Sequence, residues 1–119
     1  MPRLQRKNFS RPDQVRQFEH GRLELGQLDE TTIGRFVFEP GWRWSNDVGP
    51  IVGTASCQNR HVGYVMSGTL HVVMDDGTEL DIREGDAYEI PPGHDAWVDG
   101  EANWESVEFT SAHLRPEPG

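Results

Sequence analysis

Three residue types with metal-binding or nucleophilic chemistry fall close together in one part of the chain. Cys57 and His61 are separated by three residues, and His94 follows a Pro-Pro-Gly turn at 91–93. Asp47 adds a carboxylate upstream. Two imidazoles and a carboxylate form the set used by non-haem iron centres with open positions, and a thiolate in the same set shifts the preference toward zinc. The candidate metal ligands are therefore Asp47, Cys57, His61 and His94. Spacing works against them in two places. On an extended strand Cys57 and His61 would stand about 13 Å apart, so shared coordination requires a turn at Gln58-Asn59-Arg60. A thiolate–imidazole nucleophile built from Cys57 and His61 needs a third, orienting group, and the sequence identifies none.

Aromatic residues suggest the walls of a pocket. Trp42 and Trp44 are expected on one strand face, with Tyr64 and Trp97 on neighbouring strands, an arrangement suited to gripping a flat or apolar ligand. The same residues equally suit barrel core or a dimer face. Arg60 offers a bidentate partner for a carboxylate. The candidate ligand-binding set is Trp42, Trp44, Cys57, Arg60, His61, Tyr64, His94 and Trp97. Gly63, on the same side as His61, leaves room beside the imidazole for a ligand or marks a bulge. His20, His71 and His113 read as surface or interface residues.

These residues sit in short alternating segments broken by turn signals, the pattern of an all-β sandwich or barrel. Strands are expected at Arg22–Leu28, Thr32–Glu39, His61–Ser67, Thr69–Met74, Glu79–Arg83, Ala87–Ile90, Ala96–Val98 and Trp104–Thr110. A helix is expected only over Arg11–Phe18, with Ser10 as its N-cap and Pro12 in its first turn. The polar, Gly-rich stretch between Trp44 and His61 is too long for a simple turn and is expected to shape a pocket.

With 119 residues the chain suits one domain. The expected division is a basic arm with a short helix over 1–20, the body over 21–112 and a tail over 113–119. Twenty acidic residues outweigh eleven Lys and Arg, for a net charge of −9, which argues against nucleic acid or an anionic membrane as partner. Arg3, Arg6, Lys7, Arg11 and Arg16 nonetheless make the first segment basic, fit to meet something acidic in its own or a neighbouring subunit. The lone cysteine excludes an intramolecular disulfide, and no apolar leader or span is visible, so the expected compartment is the cytoplasm.

The segment from Gly63 to Val98 resembles the heart of a cupin. Tyr64-Val65-Met66-Ser67-Gly68 is similar to the end of the first cupin motif, Glu39-Pro40-Gly41 to its opening, and Gly85-Asp86 through Pro91-Pro92-Gly93 to the second motif. More narrowly, CQNRHVGYVMSG and IPPGHDAWV resemble a subgroup of small bacterial cupins, some fused to nucleotide-cyclase domains. The resemblance implies an all-β cupin double-stranded β-helix, or jelly-roll barrel, with its pocket at the mouth, and a homodimer. It also implies a ligand set of His-x-His, Glu and His that this chain does not keep. Counting from Gly41 places Asp47 and Gly49 at the two histidines, counting from Gly68 places His61 at the glutamate, and Ala96 takes the last histidine, two residues after His94.

Two readings follow. In the first the pocket binds a small organic ligand with weak or no metal affinity and an unassigned activity. In the alternative the chain is a metal-dependent enzyme, such as a dioxygenase, isomerase or lyase. A divalent iron, zinc, manganese, nickel or copper ion then polarises substrate while His61 or His94 handles protons.

Overall fold

The computed structural model of the chain describes residues 3–110. Among the described residues nine strands form two antiparallel sheets. The larger orders its strands β1 (Gln14–Phe18), β2 (Gly21–Gln27), β3 (Thr32–Phe38), β9 (Trp104–Thr110), β4 (His61–Ser67) and β7 (Ala87–Ile90). The smaller consists of β6 (Glu79–Arg83), β5 (Thr69–Met74) and β8 (His94–Asp99). The expected jelly-roll architecture is present, with the core between the two sheets.

Alternation along the strands decides which side chains enter that core. On β4, His61, Gly63 and Val65 point inward while Tyr64 and Met66 are exposed. On β8, His94, Ala96 and Val98 are buried and Asp95 and Trp97 face out. The same period on β9 turns Trp104 and Ser106 inward, and Glu108 follows them on that face. The aromatic centre is a stack, with Phe38 lying 3.9 Å from Trp42 and 5.6 Å from Trp104 between ring centroids.

The expected helix over Arg11–Phe18 is a turn followed by a strand. Ser10 does not cap a helix; its N–H donates to Asn8 Oδ1 at 2.9 Å while Arg11 N–H bonds to Asn8 O. Gln14–Phe18 then pairs with Leu25–Gly21 across a full antiparallel register. Tertiary pairing to β2 overrides the local helix signals. The long loop is also more ordered than its composition suggests, holding α1 (Trp44–Asp47) and α2 (Gly49–Val52). Trp44 consequently opens a helical turn rather than sharing a strand face with Trp42, yet both are buried, at 3% and 4% exposure.

Two observed features fix the region around the candidate ligands. Gly68, at φ +81°, ends β4 where a Cβ would lie 2.8 Å from Trp104 Cα, so only glycine lets β9 cross this closely. Residues 55–60 leave the strand and bring Cys57 back beside β8: Cys57 N–H bonds to His94 O, and Gly93 N–H to Cys57 O, both at 2.7 Å.

The basic arm is tied to its own chain. Arg3 makes two bonds to the Asp29 carboxylate at 2.8 and 2.9 Å, and Lys7 pairs with Asp13 at 3.1 Å. No helix among the described residues is long and apolar enough to cross a membrane. The readings of His113 and of the 113–119 tail lie outside the described residues.

Candidate metal centre

No turn forms at residues 58–60; instead the backbone pairing of Cys57 with Gly93 and His94 carries Cys57 beside β8, and Cys57, His61 and His94 form one buried group. One ligand atom from each lies within 4.8 Å of the others. Cys57 Sγ is 3.6 Å from His61 Nε2, and the two imidazoles meet edge to face with centroids 5.3 Å apart. Relative exposures of 1%, 9% and 3% remove all three from bulk solvent.

What stands behind the imidazoles determines which nitrogens are free. His94 Nδ1 lies 2.8 Å from the Pro91 carbonyl, which only accepts, so Nδ1 carries the proton and Nε2 keeps its lone pair. His61 Nδ1 lies 2.7 Å from Glu108 Oε1, and the other Glu108 oxygen accepts from Tyr88 Oη at 2.6 Å. Both rings are thus held from behind through Nδ1, the arrangement that orients histidine ligands and raises their basicity.

Glu108 and Tyr88 were not among the expected site residues. The signal was available, because period-2 alternation from Trp104 places Glu108 on the inward face and alternation from Ile90 does the same for Tyr88. A carboxylate on an otherwise buried face requires a partner. Gly63 is what admits them. A Cβ there would lie 2.9 Å from both Glu108 Cγ and the Tyr88 hydroxyl, and would collide with Val107 O. The space beside His61 is therefore filled by the protein's own carboxylate.

Electrostatics within the group follow from these contacts. Burial alone would push the Cys57 thiol up, but hydrogen bonds to His61 and His94 and the charge of His61 outweigh it and pull the thiol down to about 6. Burial likewise opposes the charged form of His61, and the Glu108 carboxylate with the Cys57 partner overrides it, raising His61 to about 10. Burial and the same carboxylate push the Tyr88 phenol well above its ordinary range, so it stays a donor. The metal-free pair is a thiolate and an imidazolium between those two values. The Cys57 contribution to stability is lost as pH falls through about 6, and the His61 contribution as pH rises through about 10. Accordingly, the thiolate absorbance difference between metal-free protein and Cys57→Ser should develop near pH 6. A midpoint at or above the ordinary thiol value near 8.5 would contradict this assignment.

The remaining expected residues are placed as follows. Asp47 is not part of the Cys57–His61–His94 group; its Oδ2 accepts from Arg43 N–H at 3.0 Å and meets His20 Nδ1 at 3.2 Å. It acts as a clasp between α1 and the β1–β2 turn. Trp42 and Trp44 line an interior cavity together with His61 and His94. Arg60 is exposed and paired with Glu89 at 2.8 Å, and Tyr64 is 46% exposed. Trp97 lies on the outer face, with the Arg43 guanidinium 4.6 Å above its ring and His71 at 4.7 Å. His71 is held between Asp81 and Glu79 at 2.6 and 2.7 Å, contacts that raise its pKa.

Comparison with known proteins agrees with this fold. Among solved structures, a cupin-like protein of Thermotoga maritima is 18% identical, with 79% of this chain and 71% of that one covered at a TM-score of 0.55. KdgF of a Halomonas species is 17% identical, covering 79% and 81% at 0.54. A variant of the oxalate decarboxylase OxdC of Bacillus subtilis is 18% identical, covering 82% of this chain and 27% of that one at 0.58. These identities speak for the fold alone. No curated protein sequence shows a significant match. Residues 42–113 match the sequence profile of the EutQ-like cupin domain, and they contain every strand from β4 to β9 along with Cys57, His61 and His94, so the chain belongs to the EutQ-like cupin domain family.

Proposed function

We propose that the chain is a metal-dependent cupin whose ion is held by Cys57 Sγ, His61 Nε2 and His94 Nε2. The observation that carries this reading is the convergence of the three donors within 4.8 Å, with both imidazole Nδ1 atoms already committed to acceptors behind them. A thiolate with two imidazoles suits zinc or ferrous iron, and three protein ligands leave a position open for a further ligand. When bound there, such an ion supplies Lewis-acid polarisation of an oxygen donor or a lowered pKa for a water. The chain's own groups hold the donors, exclude solvent and keep Glu108 hydrogen-bonded to His61. A reducing compartment suits a free Cys57 in this role.

Elemental analysis of untagged protein tests the reading. Stoichiometric zinc, iron, manganese, nickel or copper is expected, lost in a His61→Ala and His94→Ala double variant. Cobalt substitution should add thiolate-to-cobalt charge-transfer absorption that Cys57→Ser removes. Metal-free protein that takes up no ion on reconstitution would sink it.

One observation favours a second reading. Glu108 supplies the orienting group that a Cys57–His61 nucleophile requires, completing a thiol–imidazole–carboxylate line. The two readings separate on a small thiol reagent such as methyl methanethiosulfonate. Under the metal reading reconstitution protects Cys57, whereas a nucleophile reacts at once in protein as isolated.

The family fold also supports a homodimer, and the outer face of the six-stranded sheet fits its contact better than the basic arm. Tyr64, Met66 and Phe109 are about half exposed there, at 46%, 51% and 50%, while Arg3 and Lys7 are already paired within the chain. Sedimentation equilibrium at micromolar concentration should give a dimer that Tyr64→Asp weakens. A monomer would remove this part of the proposal.

A further inference from the structure

The two sheets part along one side of the barrel. Among the described residues β6 pairs only with β5 and β7 only with β4, so each strand has one open edge. Between them runs a groove of about 670 Å³. Val72, Met74, Leu80, Ile82, Tyr88 and Ile90 supply its apolar lining. Leu80 shares the inward face of β6 with the buried Ile82, yet it is 67% exposed. An apolar side chain on an inward face with no strand beside it leaves room for one more strand.

Backbone register shows which groups β6 leaves open. Met74 N–H bonds to Thr78 O at 2.8 Å, and bonded pairs alternate along an antiparallel ladder, so Val72–Leu80 and Leu70–Ile82 are bonded pairs. Glu79, Asp81 and Arg83 then turn their N–H and C=O away from β5. Arg83 commits both to Asp86, donating to Oδ2 and accepting from the Asp86 N–H, each at 2.9 Å. Glu79 and Asp81 offer theirs to an incoming strand. A segment whose alternate residues bond to Glu79 and Asp81 places the residue between them in the groove, over Leu80.

Side chains along this edge select the occupant. Glu79 and Asp81 alternate with Leu80 and so face outward, and Asp76, Asp86 and Glu89 add further carboxylates to a groove that no lysine or arginine lines among the described residues. Part of this charge is met. His71 contacts Asp81 at 2.6 Å and Glu79 at 2.7 Å, Arg83 pairs with Asp81, and Arg60 pairs with Glu89. Five carboxylates against at most three cations still leave an acidic rim. A second copy of β6 laid antiparallel about Leu80 would set carboxylate against carboxylate, which is destabilising, and charged edges of this kind oppose self-pairing.

We propose that the open edge of β6 is a docking site for an extended segment of another protein in which an apolar residue stands between two lysines or arginines. The apolar side chain covers Leu80, the two cations meet Glu79 and Asp81, and the segment's backbone continues the three-stranded sheet. The inference goes beyond the metal reading and does not rest on it.

Fluorescence anisotropy of a dye-labelled octapeptide of alternating arginine and valine, titrated with the full chain at physiological ionic strength, tests the site. Saturable binding is expected. Leu80→Asp should weaken it about tenfold or more, the scale of leaving one leucine uncovered. Backbone N-methylation at the arginines, which keeps their charge and removes the donors of the added strand, should abolish it. An octapeptide of alternating glutamate and valine should not bind. Circular dichroism checks the fold of the variant, and Glu79→Lys, also at an exposed position, provides a second one should Leu80→Asp fail to fold.

No saturable binding of the arginine peptide, or equal binding of the glutamate peptide, would overturn the inference. So would binding that Leu80→Asp and N-methylation leave unchanged, because attraction to a chain of net charge −9 suffices to produce it. A dimer in sedimentation that Leu80→Asp dissociates would give the edge to a second copy and overturn it as well.

Discussion

Glu108→Gln should weaken metal binding by about 10–100-fold, measured by competition with a chromophoric chelator. The carboxylate touches no proposed donor atom, so the expected loss runs through His61. With Glu108 ionised, the His61 Nδ1–H has a strong acceptor 2.7 Å away, and Nε2 is both aimed and made more basic. An amide preserves size but weakens the acceptor and introduces a donor facing the Tyr88 hydroxyl, 2.6 Å from Oε2 in the native chain. Tyr88→Phe should cost less, because it removes only the second hydrogen bond. Unchanged affinity in Glu108→Gln would show that Glu108 only fills the space that Gly63 leaves.

Trp104→Ala should cost about 3–5 kcal/mol of stability, read as a lower urea midpoint at unchanged slope. Trp104 is 1% exposed, stacks 5.6 Å from Phe38, lies 6.0 Å from Tyr88 and sits where β9 passes Gly68. Its removal enlarges the interior cavity from the wall, so little collapse is available to offset the loss. A cost under about 1 kcal/mol would mean that the neighbouring rings close the gap.

Strand positions were legible in the sequence because burial on one face imposes period 2, and eight segments showed it. β1 was not, since Gln14–Phe18 carries one exposed valine and a half-buried phenylalanine and obtains its strand state from pairing with β2. At the site, residue types were readable and distances were not. Extended geometry keeps Cys57 far from His61, and only the return of 55–60 onto β8, fixed by backbone bonds to His94 and Gly93, brings them together. Asp47 was misplaced for the same reason, because register counted from Gly41 assumes a strand where the chain forms α1. Trp97 and Tyr64 lie on the motif strands as expected, but alternation turns both away from the cavity.

The α1–α2 segment divides the labour within the site. His61 and His94 are held by sheet register and Cys57 by its bridge to β8, whereas Trp44 and Val48, which line the cavity, sit on a stretch that pairs with no strand of either sheet from Trp44 to Val52. Under the proposed metal reading, exchanging residues between Trp44 and Val52 is expected to change the space beside His61 and His94 while leaving the three proposed donors in place.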